Sequence, residues 1–219
     1  MSTSPVRIYP LGDEALVCES PPPATLEIQR RVWAVAALAR DWPHIVEVVP
    51  GMNNLTLTFD PLTADATALA ARLADAWRNA DAVGIAGRDI GIPVEYGGEF
   101  GPDLADVAAH TGLGAREVAE RHAAGKYVVF FVGFQPGFAY LGGLDAALFT
   151  PRRKEPRVAV PAGSVGIGGE QTGIYPAVSP GGWQLIGRTQ LALFDPARKP
   201  PALLLPGDRV RFTIAEVHA

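Results

Sequence analysis

The stretch GFQPGFAYLGGL (133–144), followed by PRRKEPRVAVPAGSVGIGGEQTGIYP (151–176) and SPGGWQLIG (179–187), decides how this chain is read. It combines glycines, prolines, aromatics, two Pro-Arg pairs and a Gln-Thr pair, with almost no helical periodicity. Glycine costs backbone entropy and proline removes a hydrogen-bond donor, so this density marks a backbone whose geometry is dictated. Short apolar runs punctuate it and continue beyond it: YVVFFV (127–132), RVAV (157–160), WQLIG (183–187), QLALF (190–194), ALLL (202–205) and RVRFTI (209–214). Many short strands joined by Gly/Pro turns predict a closed barrel, since closure removes exposed edges. YVVFFV predicts a strand buried on both sides. The last run predicts Val210, Phe212 and Ile214 on an inward face. Loops of this kind on a rigid scaffold are also where ligand sites gather, while tight turns between barrel strands remain the plainer reading of the same glycines.

Upstream the texture differs. Val6 to Glu19 predicts two strands around a Gly12-Asp13 turn. Thr25 to Arg40 follows three prolines and places Ile28, Val32, Val35 and Ala39 on one helical face. Ile45, Val48 and Val49 lead into the Pro50–Asn54 turn, after which Leu55, Leu57 and Phe59 alternate with threonines as in a half-buried strand. Thr63 to Ala80 predicts a second helix, with Leu69, Leu73 and Trp77 aligned. The β-α-β-β-α order predicts two helices on one face of an antiparallel sheet, a ferredoxin-like arrangement. Asp81 to Arg88 reads as a linker. Asp89 to Tyr96 predicts a strand, and Pro102–His110 and Ala115–Ala124 two short helices stopped near Gly112 and Gly125. The expected fold class is therefore α+β, with an N-terminal ferredoxin-like domain over 1–84 and a C-terminal barrel over 85–219.

Composition narrows the function. The chain has 219 residues, 48% of them hydrophobic, and a formal net charge of -4. That supplies a full core and lacks the basic face of a nucleic-acid binder. The N-terminus shows no charged start followed by an apolar run, and nothing approaches the ~20 apolar residues of a membrane span, so a soluble cytoplasmic protein is expected. Cys18 is the single cysteine and sits in an apolar run, where a buried inert thiol is expected. No GxxxxGK[ST] loop, GxGxxG fingerprint or GxSxG elbow is present. The histidines (44, 110, 122, 218) have no metal-type spacing; His110 and His122 fall on helices, where packed or solvated histidines are expected.

What remains is a polar constellation without an evident catalyst. Arg152, Arg153 and Arg157 suit bidentate capture of a carboxylate or phosphate, or else solvate a loop. Gln171 and Thr172, flanked by glycines, offer amide and hydroxyl groups. Ser164 offers a hydroxyl or caps a turn. Phe138, Tyr140, Tyr175 and Trp183 wall a pocket or fill barrel core. Glu170 and Asp145 are the only carboxylates close enough in sequence to nominate as a base.

At these same residues the chain resembles the KipI/PxpB family, also called allophanate hydrolase subunit 1. The likeness is carried by PGMNN (50–54), the glycine-rich text from Gly98 to Leu104, FQPGFAYLGGL (134–144), Thr150 to Pro176, SPGGWQLIGRT (179–189) and LFDP (193–196), and extends over almost the whole chain. One departure, Glu99-Phe100, falls in a loop. The resemblance implies a cyclophilin-like form for the C-terminal barrel. It implies one component of an ATP-dependent 5-oxoprolinase that opens 5-oxo-L-proline to L-glutamate. The implied partners are a protein of the KipA, or allophanate hydrolase subunit 2, family and a protein of the LamB/YcsF family. ATP with Mg is implied for the complex, and no nucleotide motif is evident in this chain. A lactam is a poor electrophile, so phosphorylation of its amide oxygen before opening fits this assignment, and Arg152 or Arg157 is a natural partner for the substrate carboxylate. Other relatives inhibit a sensor histidine kinase, which keeps a pure binding module as the alternative. The cyclophilin-like barrel also raises prolyl isomerisation, which fold alone does not carry.

Overall fold

A computed structural model describes residues 6–80 and 86–218. Residues 81–85, which hold most of the expected linker and the expected boundary at 84/85, lie outside the described residues, as do residues 1–5 and 219. The chain divides into two compact units, Met1–Ile85 and Ala86–Ala219.

The first unit contains β1 (Arg7–Pro10), β2 (Ala15–Glu19), α1 (Leu26–Ala39), β3 (Ile45–Pro50), β4 (Asn54–Phe59) and α2 (Ala66–Asn79). Its strands form one antiparallel sheet in the order β1-β2-β4-β3. Period-2 alternation places Leu16 and Cys18 of β2 with Leu55, Leu57 and Phe59 of β4 in a single core, which Val32 and Val35 of α1 and Leu69, Leu73 and Trp77 of α2 complete. Each helix starts where the sequence supplies a cap. Thr25 Oγ1 accepts from Ile28 N, and Asp65 Oδ1 accepts from Thr67 N and Ala68 N. Burial pushes the Cys18 thiol up to about 12, so it is inert.

The second unit contains β5 (Asp89–Gly97), α3 (Leu104–Thr111), α4 (Ala115–Ala124), β6 (Tyr127–Val132), β7 (Ala139–Gly142), a 3-10 turn (Ala146–Leu148), β8 (Arg157–Val160), β9 (Ser164–Gly168), β10 (Gln171–Ile174), β11 (Ser179–Gly181), β12 (Gln184–Arg188) and β13 (Arg209–His218). Seven strands close a barrel in the order β10-β7-β6-β13-β5-β12-β9, with β13 parallel to β5, and β8 and β11 form a separate two-stranded ribbon. Ile92, Val94, Val129, Leu141, Val165, Ile167, Ile174, Ile186, Val210 and Phe212 fill the interior.

Several strand expectations need correction. Gln190–Phe194 and Ala202–Leu205 are not strands; one bridge, Phe194 to Ala202, joins them. Prolines at 196, 200, 201 and 206 remove the donors a ladder there would need. Ile214 is 39% exposed rather than buried: it is the last residue paired in register with β5 before the ladder slips between Ile214 and Glu216. In β6, Val128, Phe131 and Val132 are only half-buried, and a bulge between Val129 and Phe131 interrupts its register with β7. The strand buried along its whole length is instead β9, SVGIG. Its glycines prove decisive for the site.

Candidate functional site

Strand alternation builds the site on the outside of the barrel. β9 sends Val165 and Ile167 into the core, β10 sends Thr172 and Ile174 toward the interior side, and β7 sends Ala139 and Leu141 inward. The opposite face therefore presents Gly166 and Gly168, then Gly173, then Tyr140. Three glycines there leave a flat bed, and the Trp183 indole lies on it. A Cβ at Gly168 would come within 2.5 Å of Trp183 Nε1, one at Gly166 within 3.1 Å of Trp183 Cβ, and one at Gly173 within 3.2 Å of Cζ3. Around the indole, Phe138, Tyr175, Leu185 and Val160 form a small buried cluster with Tyr140 against it. The rings meet edge to face: Phe138 to Trp183 at 5.5 Å and 81°, Phe138 to Tyr175 at 5.2 Å and 82°, and Tyr140 to Trp183 at 5.8 Å and 73°. Gly168→Ala is thus expected to destabilise the chain by about 1–3 kcal/mol, the usual cost of overpacking. Any gain from a stiffer unfolded chain is smaller, and thermal unfolding of the variant measures the balance.

This cluster walls a pocket of about 110 Å³ lined by Phe134, Phe138, Tyr140, Arg152, Tyr175, Pro180, Gly181, Gly182 and Trp183. It is somewhat smaller than the ~150 Å³ engineered cavity that accepts a benzene ring. Arg152 is the one charged side chain in the lining. Its guanidinium carbon stands 5.8 Å from the centroid of the Trp183 ring. Burial pushes the phenols of Tyr140 and Tyr175 up, and the Arg152 charge pulls both partly back. The pocket is thus aromatic-walled, with one cation and two neutral hydroxyls. Phe134 stands at its rim, 62% exposed and with φ of 67°, a conformation that a bulky residue rarely adopts. Its ring meets Phe138 at 5.4 Å and Tyr175 at 6.4 Å.

Behind the pocket lies a charge cluster. Asp103, 2% exposed, accepts from Arg157 Nη1 at 2.8 Å and Nη2 at 2.7 Å, from Arg153 Nη1 at 3.0 Å, and from Leu185 N at 2.7 Å. Arg157 accordingly spends its fork on Asp103, and its side chain does not line the pocket.

Of the sequence candidates, Phe138, Tyr175, Trp183 and Arg152 come together, and Ser164, Gln171 and Thr172 stand apart from the lining. Ser164 is fully buried, and its hydroxyl has no hydrogen-bond partner among the described residues. Gln171 is half-buried with Nε2 likewise unpartnered. Thr172 Oγ1 donates to the Gly166 carbonyl at 2.9 Å and lies 2.9 Å from His122 Nε2, while His122 Nδ1 lies 2.8 Å from the Tyr96 hydroxyl. A hydroxyl has one proton, so Thr172 must accept from His122 Nε2–H; Nδ1 then accepts from Tyr96. The chain of donors is fully consistent, and burial lowers the imidazole to about 3, keeping it neutral. Asp145 caps Ala147 N and pairs with Arg121, and Glu170 is exposed; neither lines the pocket. The fold also brings His218 beside Glu95 and Glu216, with one ligand-type atom of each within 4.8 Å of the others, a grouping that sequence spacing hides. No described helix is long and apolar enough to cross a membrane.

Sequence reasoning missed Asp103, Phe134 and the glycine bed. Asp103 immediately precedes α3, and its side chain makes no capping bond to that helix.

The chain as a whole has counterparts among known proteins. Residues 6–204 match the family described as carboxyltransferase domain, subdomains C and D. The chain belongs to that family, in the branch that holds the B subunit of 5-oxoprolinase. The 5-oxoprolinase B subunit of Escherichia coli O157:H7 is 55% identical over 94% of this chain and 94% of its own length. The solved structure of TTHA0988 is 39% identical with a TM-score of 0.78, and covers 92% of this chain, which spans only 40% of that longer one. The urea amidolyase of K. lactis shares the fold at a TM-score of 0.81 and 23% identity, and this chain spans 15% of it.

Proposed function

We propose that this chain is the B subunit of an ATP-dependent 5-oxoprolinase, acting in the cytoplasm with a LamB/YcsF-family protein and a KipA-family protein. The observation that carries the reading at the site is the pocket beside Trp183. A small flat lactam fits an aromatic wall, and its carboxylate fits the lone Arg152 guanidinium. Among the lining residues there is no carboxylate and no histidine to act as a base. That composition suits a component that binds and orients, with the proton transfers, Mg and ATP phosphates handled together with the partners. Phosphorylating a lactam oxygen depends on positioning and charge stabilisation, which such a pocket supplies in part. In this reading the division at 84/85 separates a ferredoxin-like domain, two helices on a four-stranded antiparallel sheet, from a cyclophilin-like barrel.

The test is reconstitution. Glutamate release and ATP hydrolysis with 5-oxoproline are measured for the chain alone and for its mixture with the LamB/YcsF-family and KipA-family proteins. Turnover confined to the mixture is the expected result. A well-folded mixture that leaves 5-oxoproline intact refutes the assignment.

A further inference from the structure

We propose that Asp103 is the positioning residue of this pocket, fixing Arg152 relative to the Trp183 ring. The inference rests on the reading of the pocket as a 5-oxoproline subsite. Asp103 grips both sides of it. On one side it holds Arg153, the neighbour of Arg152, and Arg157 at the far end of the same loop. On the other it accepts from Leu185 N, two residues past Trp183, and its own N–H donates to Leu185 O at 2.9 Å. The loop closes between these anchors, because Arg153 N donates to Gly182 O at 2.7 Å. Hydrogen bonds from Asp103 to Arg153 and Leu185 and from Arg153 to Gly182, together with the Gly182–Leu185 stretch of chain, therefore close a ring, with Arg152 and Trp183 each one or two residues from an anchor.

The chemistry explains why a carboxylate stands there. An ionised carboxylate offers about four acceptor positions, and here all are engaged: Oδ1 by Arg153 and Arg157, Oδ2 by Arg157 and Leu185 N. No neutral side chain accepts four bonds in that geometry. The anchor is rigid because it is buried and saturated, whereas Arg152 has no ion pair to a carboxylate among the described residues and depends on its neighbours for placement. A shift of about 1 Å in a ligand-orienting group is enough to cost large factors in binding or rate.

The experiment compares the parent, Asp103→Asn, Arg152→Ala and the double variant in the reconstituted complex. Asp103→Asn is expected to raise KM for 5-oxoproline about tenfold or more with kcat within about threefold, and to add nothing once Arg152 is gone. Additive effects in the double variant, or a fall in kcat at unchanged KM, overturn the proposal. If Asp103→Asn does not fold, Arg153→Gln takes its place, since Arg157 still neutralises Asp103; the same KM rise and the same non-additivity are expected. A second readout needs no turnover. The Trp183 contribution to fluorescence is isolated by subtracting a Trp183→Phe spectrum, and Asp103→Asn is expected to shift it as Arg152→Ala does. An unmoved Trp183 signal overturns the positioning role, whereas an inactive parent complex with a shifted signal removes only the substrate assignment.

Discussion

Stability is expected to fall steeply as the pH drops below 6.5, before the carboxylates begin to titrate. The cause is His122, fully buried between Tyr96 and Thr172, with the ring of Phe212 4.6 Å away. Burial lowers its imidazole from 6.5 to about 3. The unfolded chain therefore takes up a proton below 6.5, while the folded chain does not until about 3. Stability is fully present above 6.5 and is lost progressively toward 3, at roughly 1.4 kcal/mol per pH unit, or about 5 kcal/mol over the whole window. That approaches the entire stability of an ordinary domain. Asp208 does not confuse the measurement. Burial raises its carboxyl, but Arg88 and two backbone N–H groups hold it below the ordinary 3.8, so its contribution is lost only at lower pH. Urea unfolding at pH 7, 6 and 4.5 should show a loss close to 3 kcal/mol by the last point, roughly two pH units at the slope above. His122→Asn is expected to be less stable at pH 7, because Tyr96 and Thr172 lose their partner, yet nearly flat over this range. A parent chain equally stable at 7 and 4.5 defeats the argument.

That network also shows where sequence reading stops. His122 was legible as a packed helical histidine, and Thr172 as a polar group beside glycines. Nothing in the chain text says that they meet, because their separation of 50 residues is bridged only by closing the barrel. The first unit was more legible. Its helices carry their own caps, and its β4 strand alternates cleanly, so local signals agree with the fold. In the barrel, register slips between Ile214 and Glu216 and between Val129 and Phe131 interrupt the ladders, which no period-2 reading anticipates. The aromatic residues and Arg152 were recognisable from their setting among glycines and prolines. Their assembly depends on β9 glycines whose role is to leave space for Trp183, and an absent side chain carries no signal of what lies above it. Arg153, Arg157 and Asp103 make the same point: two arginines suited to a ligand find a buried carboxylate at the start of α3.

The division of labour among those arginines leads to the largest expected effect on function. Arg152→Ala should raise KM for 5-oxoproline in the reconstituted complex by about ten- to a hundredfold, the range for losing a hydrogen-bonded charge partner. Folding should survive, because Arg152 has no ion pair to a carboxylate in the described structure and stands over the Trp183 ring at 5.8 Å from its centroid. Arg152→Lys discriminates charge from shape. Lysine restores a point charge but not the planar fork that binds a carboxylate through two bonds and rests on an indole, so it should recover only part of the loss. Full recovery by lysine would reduce Arg152 to a source of positive potential. No change in KM with alanine would remove the substrate carboxylate from this pocket altogether, leaving an aromatic cleft whose lone cation serves another anion. The expected pattern, alanine worst and lysine intermediate, with thermal unfolding of all three proteins close together, is what a bidentate clamp held against Trp183 requires.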